Sequence, residues 1–432
     1  MSTTLLAAEQ ELSKQIGDYW ASTTTGAGTT TTLVDSALMA KPNDWVTDEA
    51  YVMLEEEPTS AASIYDERKV SSLDNSTGTL TTLAFAEAPG TGIDYSLHRL
   101  FEASEKRRAL VAAARRVFPS CFEEVWDESL VLGNWLKDGS FEIWTSSSAL
   151  THWTTTTSTI AQTSASPYYK HGKYSCKIST AAGKIAQGIT NFDDLKYLAG
   201  KTVTFSVQGW CDTASCLRIQ IYDGTTTTTS DYHAGNSAWT ENNDPMEIQV
   251  KIADNPSETT FRLLHDVAAG TSYVEDARVI SDYRGRTYIG QLGLAQNRPH
   301  QIYIEPSDYS QEEDWIRVRG YKIDDSGYLY IPTIYSSDYR LRIRGVGYLD
   351  FLASGVSSTA WTATIAIDLP QLDILIAQAA LYLYTELALP NYETGTRAGY
   401  QQMIAFWKQE LAERKAKFGM VSPGATVQWS NS

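Results

Sequence analysis

Hydrophobic residues recur along this chain with two different periods, and the longer period predicts helices. From Leu5 to Tyr19 the apolar residues fall on one stripe at helical spacing, and Thr4 precedes them as a helix cap. Asp368 and Pro370 mark the start of a later helix in the same way. The predicted helices cover residues 5–19, 104–118, 370–389 and 396–418, with a short helical piece at 122–126.

The shorter period, strict alternation of apolar and polar residues, predicts strands. Three short segments near the N-terminus, 50–54, 62–65 and 79–83, predict a small β-barrel or sheet. Residues 315–319 and 339–344 also alternate, which places arginines on one face and apolar side chains on the other. The arginines of this face are Arg317, Arg319, Arg340, Arg342 and Arg344.

Three interpretations of this arginine face remain open from the residues alone. It is a partner interface that meets the acidic surface of a neighbouring subunit, a surface for DNA phosphates, or a solvated outer face. The chain carries a formal net charge of −17, and this excess of acid favours the protein partner over DNA. Residues 1–130 hold 21 acidic and 10 basic residues, and this net charge of −11 argues against nucleic-acid binding by that part.

A block of strand-like runs and Thr/Ser/Gly turns at about 131–281 stands between two parts that together predict one domain. The two ends of a β-sandwich can lie side by side, so a sandwich can be inserted into a loop of another domain. We therefore expect an α+β protein in which a helical-bundle adaptor domain with small β elements is interrupted by an all-β jelly-roll sandwich. Its predicted segments are 1–130, the inserted jelly roll 131–281, 282–419, and an extended C-terminal arm at 420–432.

No catalytic signature is present in the sequence. The nucleophile-elbow, phosphate-loop, zinc-protease and dinucleotide-binding patterns are absent, and the six histidines show no metal-ligand spacing. The four cysteines form no CxxC pair, so we expect reduced thiols. The start of the chain lacks the features of a signal peptide, and the most apolar stretch, 372–389, is interrupted by polar residues. We expect a protein that is not an enzyme, is not bound to a membrane, and is assembled in the cytoplasm.

Several segments of the inserted block carry a resemblance to a known fold. Gly139-Ser140-Phe141-Glu142 with Trp144, the run from His171 to Ile178, the run from Lys201 to Trp210, and the closing Tyr273–Val279 follow one another in order. This order resembles the jelly rolls of the carbohydrate-binding modules that accompany glycoside hydrolases. The resemblance covers about 150 residues and concerns the fold more than the ligand.

The resemblance implies a sugar site and a structural Ca²⁺. Sugars stack on exposed aromatic faces while polar side chains bind their hydroxyl groups. Trp144, Trp210 and Trp239 are expected to pack in the core. The family often carries Ca²⁺ near its joined ends, where Glu142 and Asp276 match the ligand positions. The predicted carbohydrate-binding residues are Trp153, Tyr168, Tyr169, Tyr222, Tyr232 and His233.

The flanking parts resemble the head-to-tail adaptor (connector) proteins of tailed bacteriophages. The resemblance rests on Asn43–Val46 before a strand, the helix at 105–119, and the late run from Tyr339 through Pro370 to the helix at 379–384. It implies a virion protein at the head–tail junction, in a homo-oligomeric ring of about twelve copies. Its partners would be the portal protein, a tail-side neck or tail protein, DNA passing without specific binding, and a cell-surface glycan. No cofactor besides the Ca²⁺ is implied.

Two further readings stay open. The chain is a carbohydrate-binding or glycan-processing protein whose flanking segments are accessory, or the jelly roll decorates a virion and contacts other virion proteins without binding sugar.

Overall fold

A computed structural model shows two compact units. The first comprises Met1–Glu123, Tyr348–Ala353 and Ser357–Val421, and the second is built mainly from Glu124–Gly347. The structure describes residues 2–46, 50–55, 64–170, 172–179, 182–240, 244–281, 286–305, 315–331, 339–353, 355–389 and 397–421. The predicted arm at 420–432 therefore lies almost wholly outside the described residues.

The described chain is mostly β-sheet, with five α-helices among the described residues. This confirms the all-β sandwich in the middle of the chain, whereas a helical-bundle adaptor domain is not shown. The predicted segment 282–419 is divided between the units. Its strands up to residue 347 belong with the sandwich in the second unit, and its two long helices belong to the first.

The helices of the first unit share one apolar core, which includes Leu12, Leu110 and Leu375. They are α1 (Leu5–Gln15), α2 (Ala103–Ala114), α4 (Leu372–Ala388) and α5 (Arg397–Phe418). Thr4 caps α1 as predicted, because its side-chain oxygen accepts a hydrogen bond from the Ala7 N–H at 3.2 Å. The predicted cap of α4 is wrong: α4 begins two residues after Pro370, and Asp368 lies outside it.

A seven-stranded antiparallel sheet completes the first unit, in the order β2–β8–β5–β6–β7–β4–β3. Its strands are β2 (Trp20–Thr23), β3 (Gly26–Thr29), β4 (Thr32–Val34), β5 (Tyr51–Leu54), β6 (Glu67–Asp74), β7 (Thr79–Thr82) and β8 (Asp94–His98). The minor elements are β1 (Thr3–Thr4), β28 (Leu352–Ala353), β29 (Val356–Ser357), β30 (Thr364–Ile365) and the 3-10 turns Ser36–Ala40 and Asn43–Trp45.

A fully buried lysine joins α1 to α2. The Lys106 ammonium lies 2.9 Å from an Asp18 carboxylate oxygen, donates to Ser13 Oγ at 2.8 Å, and lies 3.7 Å from Glu9. Asp18 is satisfied further by three backbone N–H groups, so this buried charge is paired. Burial raises the pKa of Glu9 to about 7, against the opposing effect of Lys106. The donors to Asp18 are the N–H groups of Arg99, Leu100 and Phe101.

The second unit contains a sandwich of two five-stranded antiparallel sheets. Sheet orders are β12–β15–β20–β17–β18 and β13–β14–β21–β16–β19, and their facing sides enclose an apolar core. The connection between β15 and β16 carries α3 (Phe192–Leu198). β10 (Trp144–Ser146) and β11 (Ala149–Leu150) form a separate two-stranded sheet. The ten strands of the sandwich are β12 (Thr154–Thr156), β13 (Thr159–Thr163), β14 (Ser175–Ser179), β15 (Gly183–Ile189), β16 (Thr202–Cys211), β17 (Leu217–Tyr222), β18 (Thr227–Thr229), β19 (Met246–Lys251), β20 (Thr259–His265) and β21 (Ser272–Ser281).

Two smaller sheets adjoin the sandwich within the second unit, in the orders β24–β23–β27–β9 and β22–β26–β25. Residues 122–126 were predicted to be helical. The prediction is wrong, because from Glu123 onward exposed and less exposed side chains alternate, as on a strand. The strands are β9 (Glu123–Val131), β22 (Thr287–Tyr288), β23 (Gln301–Ile304), β24 (Ile316–Arg317), β25 (Lys322–Ile323), β26 (Tyr328–Tyr330) and β27 (Arg340–Gly347), with 3-10 turns at Gly290–Leu292 and Ala295–Asn297.

The start and end of the sandwich lie side by side, as expected of an inserted module. The Asn134 amide donates to Ala277 O at 2.9 Å, and its oxygen accepts from the Val279 N–H at 2.9 Å. The Ala277 N–H donates to Gly139 O at 2.7 Å. A Cβ at Gly139 would lie 2.1 Å from Ala277 O, so only glycine permits this approach. We call this group of contacts the Asn134 clasp.

We predict that Asn134→Ala loosens the clasp and lowers the free energy of opening it by about 2–3 kcal/mol. The reason is that Ala277 O and the Val279 N–H lose their hydrogen bonds to the Asn134 side chain. Hydrogen exchange of peptides covering 134–139 and 276–281 measures the effect. Asn191→Ala is the control, since it removes one exposed hydrogen bond at the start of α3 and is expected to cost about 1 kcal/mol or less. An equal increase in hydrogen exchange for the two substitutions would contradict the stabilising role of the clasp.

We predict that Glu9→Gln changes how stability depends on pH. Between pH 4.5 and 7 the folded wild type holds a proton on Glu9 that the unfolded chain has lost, so its unfolding free energy falls as pH rises. The Glu9→Gln variant has no carboxyl group at this position, so its unfolding free energy does not fall for this reason. The unfolding free energy of the variant minus that of the wild type should therefore grow by up to about 3 kcal/mol between pH 4.5 and 7. Urea unfolding at pH 4.5 and 7.5 gives this difference. If the difference in unfolding free energy between variant and wild type is the same at both pH values, the raised pKa of Glu9 is contradicted.

Candidate functional site

One face of the sandwich carries aromatic and cationic side chains in contact with each other. Along β17 the buried residues alternate with Arg218, Gln220 and Tyr222, which are half-buried on the outer face. The neighbouring strand β20 places Thr260 and Arg262 on the same face, and Thr260 lies opposite Tyr222. We call this set, together with Tyr232, the tyrosine–arginine face.

Each tyrosine of this face packs against a guanidinium group. Arg262 lies 5.0 Å from the centroid of the Tyr222 ring, and Arg218 lies 4.6 Å from that of Tyr232. Tyr232 is 40% exposed, and its hydroxyl donates to Asp266 at 2.9 Å. This hydrogen bond raises the pKa of Tyr232. The rings are thus held in place while part of their surface stays in contact with solvent.

Polar groups lie between the two rings. Arg262 Nη1 donates to Gln220 Oε1 at 2.9 Å, and Gln220 donates in turn to Thr229 Oγ1 at 3.1 Å. Arg262 Nε is buried and has no hydrogen-bond partner in the described part of the chain. Arg218 and Tyr222 are four residues apart on one strand, which corresponds to about 13 Å. The face therefore offers two aromatic surfaces with hydrogen-bonding groups between them.

Of the six predicted carbohydrate-binding residues, the structure brings Tyr222 and Tyr232 together on this face. Trp153 instead packs in the core: it is 5% exposed, its ring stacks on Phe141 at 5.0 Å, and its indole N–H donates to Asp138 O. A ring without a free face cannot stack on a sugar, so Trp153 is corrected to a core residue. His233 is also buried and closes a turn, where its Nδ1 accepts from the Gly235 N–H.

The remaining two predicted residues lie near the other sheet. Tyr168 stacks on Tyr273 with ring centroids 4.3 Å apart and meets the edge of Trp210, so its ring is largely engaged by protein. Tyr169 is 38% exposed and stays a prediction. Trp210 and Trp144 are buried, which confirms that they pack in the core.

The two predicted Ca²⁺ ligands are occupied by other groups. Asp276 binds Arg278 through both carboxylate oxygens, at 2.9 and 2.7 Å, and Arg340 at 3.0 Å. Two guanidinium groups already neutralise this carboxylate. The prediction that Asp276 is a Ca²⁺ ligand is therefore corrected, because Asp276 is an ion-pair partner of Arg278 and Arg340. Glu142 accepts from the Lys173 and Tyr174 N–H groups, and burial raises its pKa to about 7. Within the described residues, no three His, Cys, Asp or Glu side chains gather as metal ligands.

The predicted arginine face is shared by three strands. β24 and β27 both pair with β23, so Arg317, Tyr303 and Arg342 form one row. Arg342 is bound to Glu128 at 2.7 Å and Arg340 to Asp276, so part of the positive charge is neutralised within the unit. Arg344 lies 3.5 Å from the centroid of the exposed Trp126 ring, while Arg317 and Arg319 are exposed. The role of the arginine face as a partner interface stays a prediction.

Sequence reasoning missed Arg218, Gln220 and Arg262. The signal that could have found them is the alternation of apolar and other side chains, which runs through residues 217–222 and, more briefly, through 260–263. The contacts between the two strands depend on the register and were not readable from the sequence.

No described helix is long and apolar enough to cross a membrane. The four cysteines are buried, and none of them forms a disulfide bond in the structure.

Comparison with protein-family models and with curated proteins finds no match. Solved structures similar to this chain include the carbohydrate-binding module TmCBM61 in complex with β-1,4-galactotriose, at 14% identity and a TM-score of 0.28, covering 34% of this chain and 99% of that one. The C-terminal family 22 carbohydrate-binding module of Clostridium thermocellum Xyn10B is similar at 19% identity and a TM-score of 0.27, covering 35% and 96%. The enzymatically active domain of bacteriophage CBA120 tailspike protein 4 is similar at 12% identity and a TM-score of 0.27, covering 34% and 21%. At these TM-scores the assignment of the sandwich fold rests on its strand order.

Proposed function

We propose that the β-sandwich of the second unit binds an oligosaccharide on the tyrosine–arginine face. The observation that carries the proposal is the pair of partly exposed rings, Tyr222 and Tyr232, each held against an arginine. A sugar ring has an apolar C–H surface and a rim of hydroxyl groups. The tyrosine rings match the first, and the polar groups between them match the second.

Several features of the face support binding of an extended ligand. Arg218, which packs on Tyr232, stands about 13 Å along β17 from Tyr222. This is longer than a single sugar ring, so we expect the two tyrosines to contact different rings of one chain. The Arg262 guanidinium, Gln220 and Thr229 form a chain of hydrogen-bonding groups beside the rings, which suits a ligand that carries many hydroxyl groups. Stacking and hydrogen bonding on an open sheet face require no catalytic group, and the proposed function is binding without turnover.

We predict that Tyr222→Ala and Tyr232→Ala each weaken oligosaccharide binding by at least about tenfold, a loss of about 1.4 kcal/mol. The measurement is calorimetry of the full chain with a panel of neutral and acidic oligosaccharides that includes β-1,4-galactotriose and xylohexaose. Tyr197→Ala is the matched control, because Tyr197 is 44% exposed but belongs to α3 and not to a strand of the face. A sandwich that binds no member of the panel would favour the reading in which it only contacts other proteins.

The role of the flanking segments as a head-to-tail connector stays a prediction, as do the portal and tail partners and the location in a virion. Ring assembly is the part that is simplest to measure. If the prediction holds, analytical ultracentrifugation of the full chain should give a closed assembly of about twelve copies. A monomer at all concentrations would count against a connector that assembles by itself, and would leave the glycan-binding proposal intact.

A further inference from the structure

A second concave site lies at one end of the sandwich, next to the small sheet that contains β22 and β26. It is a cleft of about 600 Å³ within the second unit. Its lining is mainly polar, with two tyrosine rings on one side. The lining residues that matter for its chemistry are Lys137, His152, Gly188, Asn191, Tyr288 and Tyr328.

Among the described residues, the Lys137 ammonium is the positive charge of the cleft that forms no ion pair with a carboxylate. The Lys137 ammonium lies 4.7 Å from the Tyr288 ring centroid and 5.8 Å from that of Tyr328, and no carboxylate of the described residues lies within ion-pair distance of it. The other cation of the lining, Arg286, differs, because it is paired with Asp194. The lysine is therefore oriented by aromatic rings and keeps its hydrogen-bonding capacity for another group.

The histidine beside Lys137 does not add a second charge near neutral pH. His152 meets the edge of the Tyr288 ring, with centroids 5.8 Å apart. Burial and the neighbouring Lys137 both lower the pKa of His152, so the neutral imidazole is favoured. A neutral imidazole and the Asn191 amide offer hydrogen bonds to hydroxyl groups, and the cleft as a whole suits a polar ligand that carries one negative charge.

The cleft is continuous with the tyrosine–arginine face through Gly188. Gly188 lines the cleft, lies opposite Thr260 on β20, and Thr260 lies opposite Tyr222 on β17. Two strand spacings, about 10 Å, thus separate Gly188 from Tyr222. Gly188 is exposed, and a Cβ added there would make only an ordinary van der Waals contact with Thr260 Oγ1 at 3.6 Å.

We propose that the cleft binds an acidic sugar, and that the ligand of this protein is an oligosaccharide carrying a carboxylate. The inference rests on the proposed function of the tyrosine–arginine face, which would bind the neighbouring rings of the same chain. Lys137 pairs with the carboxylate, the Tyr288 and Tyr328 rings contact the sugar ring, and His152 and Asn191 bind its hydroxyl groups. A sulfate ester on a sugar shares the negative charge, but its larger tetrahedral group distinguishes it in the test below.

The test measures binding of the full chain to uronate-containing oligosaccharides (galacturonate, glucuronate and mannuronate oligomers), to their methyl esters, and to a sulfated oligosaccharide. The methyl ester keeps the sugar rings and removes the charge, so it needs no protein variant. We expect wild type to bind at least one uronate oligomer about tenfold more tightly than its ester and than the sulfated probe. Lys137→Met should abolish this preference, and Lys137→Arg should restore part of it.

Lys251→Met is the matched control, because it removes one positive charge from β19 on the other sheet. Equal binding of acid and ester, or a preference that survives Lys137→Met, would overturn the acidic-sugar inference. If Tyr222→Ala still weakened binding of neutral glycans in that case, oligosaccharide binding on the tyrosine–arginine face would stand while the acidic-sugar inference fails. Tighter binding of the sulfated probe would overturn the carboxylate assignment. Binding of no glycan at all would overturn both proposals.

Discussion

The Asn134 clasp is the constraint on which the second unit depends. It fixes the chain where it enters the sandwich to the chain where it leaves, so ten strands can be inserted without separating the segments on either side. A neighbouring hydrogen bond has a second effect. The Gly133 N–H donates to the buried Thr287 hydroxyl at 3.0 Å, which places Tyr288 beside Lys137. The cleft is thus a geometric consequence of bringing the two ends together.

The aromatic residues of the sandwich divide into two groups by their surroundings. The tryptophans Trp144, Trp153 and Trp210 are buried, where their large apolar surface stabilises the fold. The indole N–H groups of Trp144 and Trp153 donate to backbone oxygens. The tyrosines Tyr222 and Tyr232 stay half in solvent because an arginine packs on each ring and holds it. The face combines the rigidity of a packed aromatic with access for a ligand, which is what a preorganised binding surface requires.

Local patterns in the sequence predicted much of this architecture. The all-β sandwich and the Thr4 cap of α1 are confirmed, since each depends on periodicity or on a short motif. Trp144 and Trp210 are buried, as the resemblance to jelly rolls implied. The helix predicted at 122–126 is wrong because a short apolar–acidic segment fits both periods, and pairing in a sheet decided between them. Trp153 was assigned to the surface because it stands in a loop-like segment, yet its ring reaches the core.

What the sequence by itself determined is the class of the longer periodic segments, because alternation and helical spacing are properties of neighbouring residues. What only the tertiary structure decided is which charges meet. Asp276 was assigned to a metal, but Arg340, 64 residues away, neutralises it. Lys137 forms no ion pair with a carboxylate of the described residues, and residues 288 and 328 bring tyrosine rings to it instead. Charge pairing depends on distances of a few ångströms between segments far apart in the chain, and only strand register and the joining of the module's ends set those distances.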